Sequence, residues 1–395
     1  MAAVAQASTS LGRSAPPRSL VAACFLSNFD RFTIGPVLIA VASGLHVRLS
    51  ATAAVASGYA VAYGLSQPVW GMLSDRFGRL PILRGALFAA ALAGVVSALM
   101  PTLWPLIVIR TVTGGLFGAV IPASLTYIGD TIPVSRRQGA LSDLMSALGV
   151  GTAIAMVFSG VVAHFAGWRP VFALPAAAAG VVAVLLRRLP EPPRPRPAAS
   201  VRRHRPLLTV LRERWSYIVM VLALIEGGVL LGCMPFLPPA LQAHGLSAAR
   251  AGAVVGLYGV GILIFTRMVK RLTTRRPAWV LLAAGGVTMA VGYLLAAGRQ
   301  TTPAIALTAV LLGAGWAFMH STLQTWATTV APEARGTGVA MFAAALFVGS
   351  AAGSALAGPL AQDGRYAVLF GAAALTMIPL TLLAVLTRRR YTPRG

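Results

Sequence analysis

Apolar residues in this chain come in long runs, and polar residues gather in the gaps. Twelve runs stand out, near 20–42, 52–73, 81–100, 104–129, 139–165, 169–186, 215–243, 248–266, 278–297, 303–329, 337–361 and 366–386. A helix needs roughly 20 residues to cross a hydrocarbon core of about 30 Å, and each run comes close to that length or exceeds it. Inside a bilayer a spanning segment must satisfy its own backbone hydrogen bonds, which a helix does within itself. The pattern predicts an all-α integral membrane protein with twelve transmembrane helices. Residues 1–19 are short and polar, with Arg13 and Arg18. The run after them is too long for the apolar stretch of a signal peptide and carries Asp30 in its middle, so it reads as an uncleaved first helix.

One gap is longer than the rest. Residues 187–214 hold nine Arg against Glu191 and Glu213 and include the run PEPPRPRP, the composition of a basic linker. It separates six spans in 1–186 from six in 215–395. The halves also repeat. A shift of 199 positions carries Pro36 to Pro235, Tyr59 to Tyr258, Leu73 to Leu272, Arg76 to Arg275, Pro133 to Pro332, Arg136 to Arg335 and Gly139 to Gly338. A constant shift from the first helix to the fifth predicts two pseudo-symmetric six-helix bundles, an architecture that places a site between repeats near the midplane.

Composition agrees with lipid as the solvent. Charged residues make up 11% of the chain, against about 25% in an ordinary soluble domain. The net charge of +24 would suit nucleic acid, but its distribution argues otherwise. Of the 33 Lys and Arg, only Arg48, Arg169, Arg250, Arg299 and Arg365 fall on one face, with Arg31 and Arg110 inside spans. The remainder fall on the other face, the bias expected of cytoplasmic loops. Both termini are therefore expected in the cytoplasm, with the chain in the inner (plasma) membrane and no nucleic-acid partner. Cys24 and Cys233 lie in apolar runs and imply no disulfide framework. The single lysine, Lys270, is followed by Arg271, so no phosphate-binding loop of the G-x-x-x-x-G-K-[ST] type exists. H-E-x-x-H and G-x-S-x-G are absent too, and no catalytic residue, metal site or cofactor is expected. Transport energy would have to come from an ion gradient or from the cargo's own.

Between the second and third runs the chain reads Gly71-Met-Leu-Ser-Asp75-Arg76-Phe-Gly78-Arg79. Its two glycines permit a tight turn and close helix approach, and its charges offer a lock at the membrane rim. These residues match the G-x-L-a-D-R-x-G-R signature of the major facilitator superfamily, and with the repeat the resemblance spans the chain. It implies alternating access by rocking of two bundles, with Gly71, Asp75, Arg76, Gly78 and Arg79 as gating residues and a monomer as the working unit. The second-half counterpart, Lys270-Arg-Leu-Thr-Thr-Arg275-Arg-Pro, lacks the acid and the glycines.

In the fourth run Arg110, Gly114, Gly118 and Pro122 form an i+4 stripe, which puts a cation above a groove where another backbone can approach. The stripe resembles the R-x-x-q-G element of proton-coupled drug exporters, with Thr113 in place of Gln. The resemblance implies that Arg110 works with a carboxylate on the first helix. Of nine acidic residues only Asp30 and Glu226 lie deep in apolar runs. Burial favours the protonated carboxyl and a nearby arginine the charged one, so an acid between them can load and release a proton. Arg31 is adjacent in sequence but points elsewhere on the helix, which leaves Arg110 as the partner for Asp30. Glu226 is expected as a second protonatable or cargo-facing acid, or a structural one. Arg31, Tyr59, Tyr63, His320 and Gln324 are candidate cavity residues, although His320 and aromatics such as Trp316 and Trp326 equally suit packing. The fifth run departs from the antiporter pattern: Ala155-Met156 and Ser159-Gly160 stand where G-P and G-G would be. The segment from His320 to Thr329, followed by Pro332-Glu-Ala-Arg335-Gly336, looks like the bacterial sugar- and drug-efflux permeases.

The expected function is proton-coupled export of small, partly apolar organic molecules. The alternatives are proton-coupled or facilitated uptake of a small metabolite and, from another class, a membrane receptor or scaffold. The gating motif and the midplane acids weigh against the last.

Overall fold

The computed structural model describes residues 15–192, 206–331 and 334–392. Arg13, the linker interior at 193–205, and the Pro332 and Glu333 pair invoked in the repeat and efflux patterns lie outside the described residues. Among the described residues there is no strand, and helices appear at all twelve apolar runs. They are α1 (Arg18–Phe32 continuing as Ile34–Gly44), α2 (Leu49–Phe77), α3 (Arg79–Leu99), α4 (Leu103–Phe117 continuing as Val120–Thr131), α5 (Val134–Ala166) and α6 (Arg169–Leu185). The second set is α7 (Arg214–Gly227 continuing through irregular turns to Ala243), α8 (Ala248–Leu272), α9 (Ala278–Gly298), α10 (Thr302–Gly315 continuing to Val330), α11 (Arg335–Gln362) and α12 (Tyr366–Arg390). A short helix, Pro206–Arg212, precedes α7.

Ten of these helices are long and apolar enough to cross a membrane, and α1 makes an eleventh across a 47° bend. The twelfth, α2, has 29 residues but is less apolar, because Tyr59, Tyr63, Gln67 and Ser74 occupy its buried face. Large side chains such as Trp104, Phe165, Leu294 and Leu382 stand exposed on the outer surface, where lipid is the solvent.

The bends have local causes. Pro36 has no N–H to give the helix and crowds the preceding turn, so α1 breaks at Thr33. Thr33 Oγ1 donates to the Asp30 carbonyl at 2.7 Å and satisfies a group freed by the break. The repeat-equivalent Pro235 lies in an irregular part of α7, after a widened π turn at Gly228–Gly232. There Tyr293 donates its hydroxyl to the Val229 carbonyl at 2.6 Å. The two proline turns meet: a Cβ on Gly35 would lie 3.2 Å from the Pro235 carbonyl oxygen. Gln242 Nε2 donates to the Pro36 carbonyl at 3.4 Å beside them. This joins the halves where α1 and α7 bend.

Two long seams complete the contact between halves, α2 against α11 and α5 against α8. Glycine makes the second seam close. A Cβ on Gly252 would lie 2.4 Å from the Met156 carbonyl oxygen, and one on Gly160 3.1 Å from Gly252 Cα. Within the first half, the expected groove on α4 is filled by α2: a Cβ on Gly114 would sit 2.4 Å from the Tyr59 carbonyl oxygen.

Candidate functional site

Asp30 and Arg110 meet inside the first six-helix set. Arg110 Nη2 donates to Asp30 Oδ2 at 2.8 Å and Nη1 to Oδ1 at 3.1 Å, a two-pronged pair that matches guanidinium to carboxylate. Each residue is 1% exposed, so water does not screen the pair. The Arg110 guanidinium also lies between two rings, 4.8 Å from the Tyr59 centroid and 4.5 Å from that of Phe172. Such faces stabilise a cation where hydration is missing. Asp30 and Arg110, paired by the acid census together with the resemblance to drug exporters, are thus in contact, with two aromatic rings beside the guanidinium. Phe172, on α6, was not among the candidates, because nothing in its own sequence context distinguishes it from lipid-facing phenylalanines.

Glu226 finds a partner the sequence reading did not supply. Its Oε2 lies 3.2 Å from His320 Nδ1, and Glu226 is fully buried. Its other oxygen, Oε1, has no hydrogen-bond partner. His320 closes a π turn of α10, Trp316–His320, and stacks on Trp316 with ring centroids 3.7 Å apart. Both functional halves therefore contain a buried carboxylate joined to a basic side chain, α1 to α4 and α7 to α10.

A cavity lies between the halves. Among the described residues Arg31 and Arg110 are the only charged ones in its wall, which is otherwise mostly apolar and includes Phe32, Tyr59, Phe347 and Ser354. Arg31 Nη2 donates to Asn28 Oδ1 at 2.5 Å, and Asn28 in turn donates to Thr152 Oγ1 at 2.5 Å and to the Leu148 carbonyl. This chain ties the site to α5. Tyr63 lies behind the wall, 4.7 Å from Phe347 by ring centroids and 3.2 Å from Ser27 through its hydroxyl. Glu226 and His320 do not border this cavity, and Gln324 is exposed on α10, away from it.

The rim motif between α2 and α3 also takes shape. Gly78 has φ 105°, the left-handed region that glycine tolerates, so the turn expected there forms. Gly71 differs from expectation: a Cβ there would meet nothing within 4 Å, and no helix approaches it closely. Arg79 Nη1 bonds Asp75 Oδ1 at 2.6 Å while Arg79 Nε bonds Asp130 Oδ2 at 3.1 Å, joining the ends of α2, α3 and α4. The backbone N–H groups of Arg79 and Leu80 donate to the Glu191 carboxylate at 2.5 and 2.8 Å, so an acid at the start of the linker caps α3. Arg76 is exposed beside Phe77.

Comparison with known proteins agrees with this architecture. The chain is 27% identical over 349 residues to a chloramphenicol resistance protein of Streptomyces lividans, covering 85% of this chain and 86% of that one. It is 22% identical over 374 residues to an uncharacterized MFS-type transporter, YfhI, of Bacillus subtilis, covering 90% and 89%. The fold superposes on a D-xylose-proton symporter with a TM-score of 0.78 at 19% identity, covering 95% of this chain and 97% of that one. The family profile described as Major Facilitator Superfamily matches residues 20–354 and, in a second match, 234–395. With that profile running along nearly the whole chain and twelve helices in two sets of six, this protein is a multi-pass membrane transporter of the major facilitator superfamily.

Proposed function

We propose that this transporter exports small, partly apolar organic molecules in exchange for protons, with Asp30 and Arg110 as the coupling pair. The observation that carries this reading is the buried two-pronged contact between them at the wall of the central cavity. A proton arriving on Asp30 removes one charge from the pair and leaves Arg110 to its aromatic plates. Asp30 sits three residues before the break in α1, so the change reaches the segment that packs against Pro235. Protonation can in this way bias which end of the cavity is closed. Export is the direction supported by likeness to a drug-resistance protein.

The arginine-rich face, with both termini, lies in the cytoplasm, and the membrane is the plasma membrane of a bacterium. The moving units are the bundles 1–186 and 215–395, joined by the linker 187–214, and a monomer suffices. Asp75, Arg76 and Arg79 hold one arrangement of the bundles at the cytoplasmic rim without touching cargo.

The test is transport by purified protein in proteoliposomes. Asp30→Asn is expected to abolish movement driven by a pH gradient while preserving counterflow exchange, since it replaces a costly carboxyl with a neutral isostere. Full gradient-driven transport by the variant would remove Asp30 from the mechanism.

One observation favours a second reading, proton-coupled uptake. Among the described residues the cavity wall carries two arginines and no carboxylate. A proton on Asp30 then makes the site more positive and strengthens the hold on an anion, so that proton and anion load together. A proton gradient directed into the cell that accelerates efflux supports export. The same gradient driving accumulation inside supports uptake.

A further inference from the structure

The charged groups around the cavity are not all paired. Asp30 is ion-paired with Arg110, and Glu226 is hydrogen-bonded to His320. Arg31 has no carboxylate within ion-pair distance among the described residues, although it lies at the depth of Asp30, where a lone cation is costly. Its surroundings are aromatic: the guanidinium carbon is 4.6 Å from the Phe32 centroid, 5.2 Å from Phe347 and 5.5 Å from Tyr63. One prong is held by Asn28, while Arg31 Nε is buried and has no hydrogen-bond partner.

Three further polar atoms of the same cavity wall share that condition. Arg110 Nε, the Tyr59 hydroxyl and Ser354 Oγ are buried without partners. A buried donor left unmade costs about 1–3 kcal/mol, and four such atoms in one wall is a concentration that ordinary packing avoids. Both arginine groups can only donate, and the tyrosine and serine hydroxyls can donate as well. Their shared demand is an acceptor that carries negative charge. The remainder of the wall, including Phe32 and Phe347, is apolar apart from Ser350.

We propose that the cavity binds amphipathic organic anions, with Arg31 as the residue that receives the carboxylate or an equivalent oxyanion and the aromatic wall as the bed for an apolar body. This rests on the cavity being the cargo site, which the export and uptake readings share. It assigns Arg31 a task separate from that of Arg110: Arg110 is occupied by the chain's own carboxylate, whereas Arg31 is free for that of the cargo.

Three apolar bodies, phenylbutyl, naphthylmethyl and decyl, each bearing a carboxylate, an alcohol or an ammonium group, serve as probes. Binding to the purified full-length protein in nanodiscs is measured by calorimetry. At least one carboxylate is expected to bind roughly tenfold or more tighter than its alcohol and ammonium counterparts, the scale of a charge-assisted hydrogen bond. Arg31→Gln is expected to erase that preference and leave the alcohol's affinity unchanged, while Arg31→Lys retains part of it. Should Arg31→Gln fail to fold by gel filtration and thermal unfolding, Ser354→Ala is expected to weaken the carboxylate alone by a few-fold. The proposal is overturned if no carboxylate binds better than its counterparts, or if the preference survives Arg31→Gln, or, where that variant does not fold, if Ser354→Ala weakens alcohol and carboxylate equally. Moving the same probes across proteoliposomes separates this from the transport reading. Carboxylate preference without gradient-driven movement keeps the site and rejects the coupling, and movement without preference rejects the site alone.

Discussion

The first and second halves each bury one acid–base pair, and the two pairs are built differently. Asp30 receives two hydrogen bonds from a guanidinium that is charged at any physiological pH and held between two rings. Glu226 has one contact, to an imidazole that can be charged or neutral, and keeps one oxygen without a partner. A pair of the first kind is an ion pair until a proton reaches its carboxylate. A pair of the second kind can hold or lose a proton within itself and remain hydrogen bonded. The two acids lie on corresponding helices, α1 and α7, but not at corresponding positions: the shift of 199 carries Asp30 to Val229 and Glu226 back to Ser27, and their partners differ as well. Under the shift of 199 positions Arg110 corresponds to Ala309, eleven residues from His320.

The hardest blow to this contrast comes from removing the guanidinium. Arg110→Leu leaves Asp30 buried and unpaired, which is expected to cost about 3–5 kcal/mol and to eliminate coupled transport. Thermal unfolding in detergent, read beside proteoliposome transport, measures both. Asp30→Asn in the same background is expected to restore stability without restoring coupling, and a variant that is stable with Leu alone shows that the two do not form a unit. Even Arg110→Lys is expected to impair coupling, because an ammonium cannot reproduce the two-pronged contact.

Changes in the second half should do less. Glu226→Gln and His320→Gln each keep a neutral hydrogen-bonding group in place, so stability is expected to fall by no more than about 1 kcal/mol. Efflux of one cationic and one neutral cargo, with and without a pH gradient, then assigns the pair. Lost gradient dependence for both cargoes marks Glu226 as a second proton carrier, and selective loss of the cationic cargo marks it as a cargo contact. Transport intact in every condition makes the pair structural. A loss as complete as that of Asp30→Asn would erase the difference between the halves.

Asp75 supplies the smallest effect and the sharpest control. Its side chain is 72% exposed and its pair with Arg79 is worth little in water, so Asp75→Asn should change stability by less than about 1 kcal/mol. Turnover is expected to slow and cysteine crosslinking across the two mouths of the cavity to shift, with cargo affinity nearly constant. Unchanged crosslinking with strongly weakened binding would move Asp75 from the gate to the cargo site.

Much of this could be read from the chain because lipid imposes simple rules. Apolar runs announced the helices, and the scarcity of buried acids singled out Asp30 and left Arg110 as its partner. The pairing of Glu226 with His320 was not legible, since it depends on how α7 and α10 pass each other and both contain widened turns. Those turns depart from the 3.6-residue period on which any face assignment rests. Gln324 illustrates the consequence. It stands four residues after His320, yet the buried stripe continues through Leu323 and Ala327, and Gln324 falls beyond its edge. Arg31 was visible as a charge within a span, but its lack of a carboxylate partner appears only when the buried acids are seen to be taken. Gly71 carries the opposite lesson, because a glycine in a motif need not mark a close contact in every arrangement of the helices.

The seam between α5 and α8 has a mechanical meaning of its own. Where Gly160 and Gly252 face each other, backbone lies directly against backbone, with no side chain between them. Interlocked side chains act as detents, and they must disengage before two surfaces can turn. The bare crossing instead acts as a plain bearing, while Val157 and Leu263 do reach Gly256 and Gly149 of the opposite helix elsewhere along the seam. Friction between the halves would then be set by the methyl groups that are missing there, and each one added would be a brake.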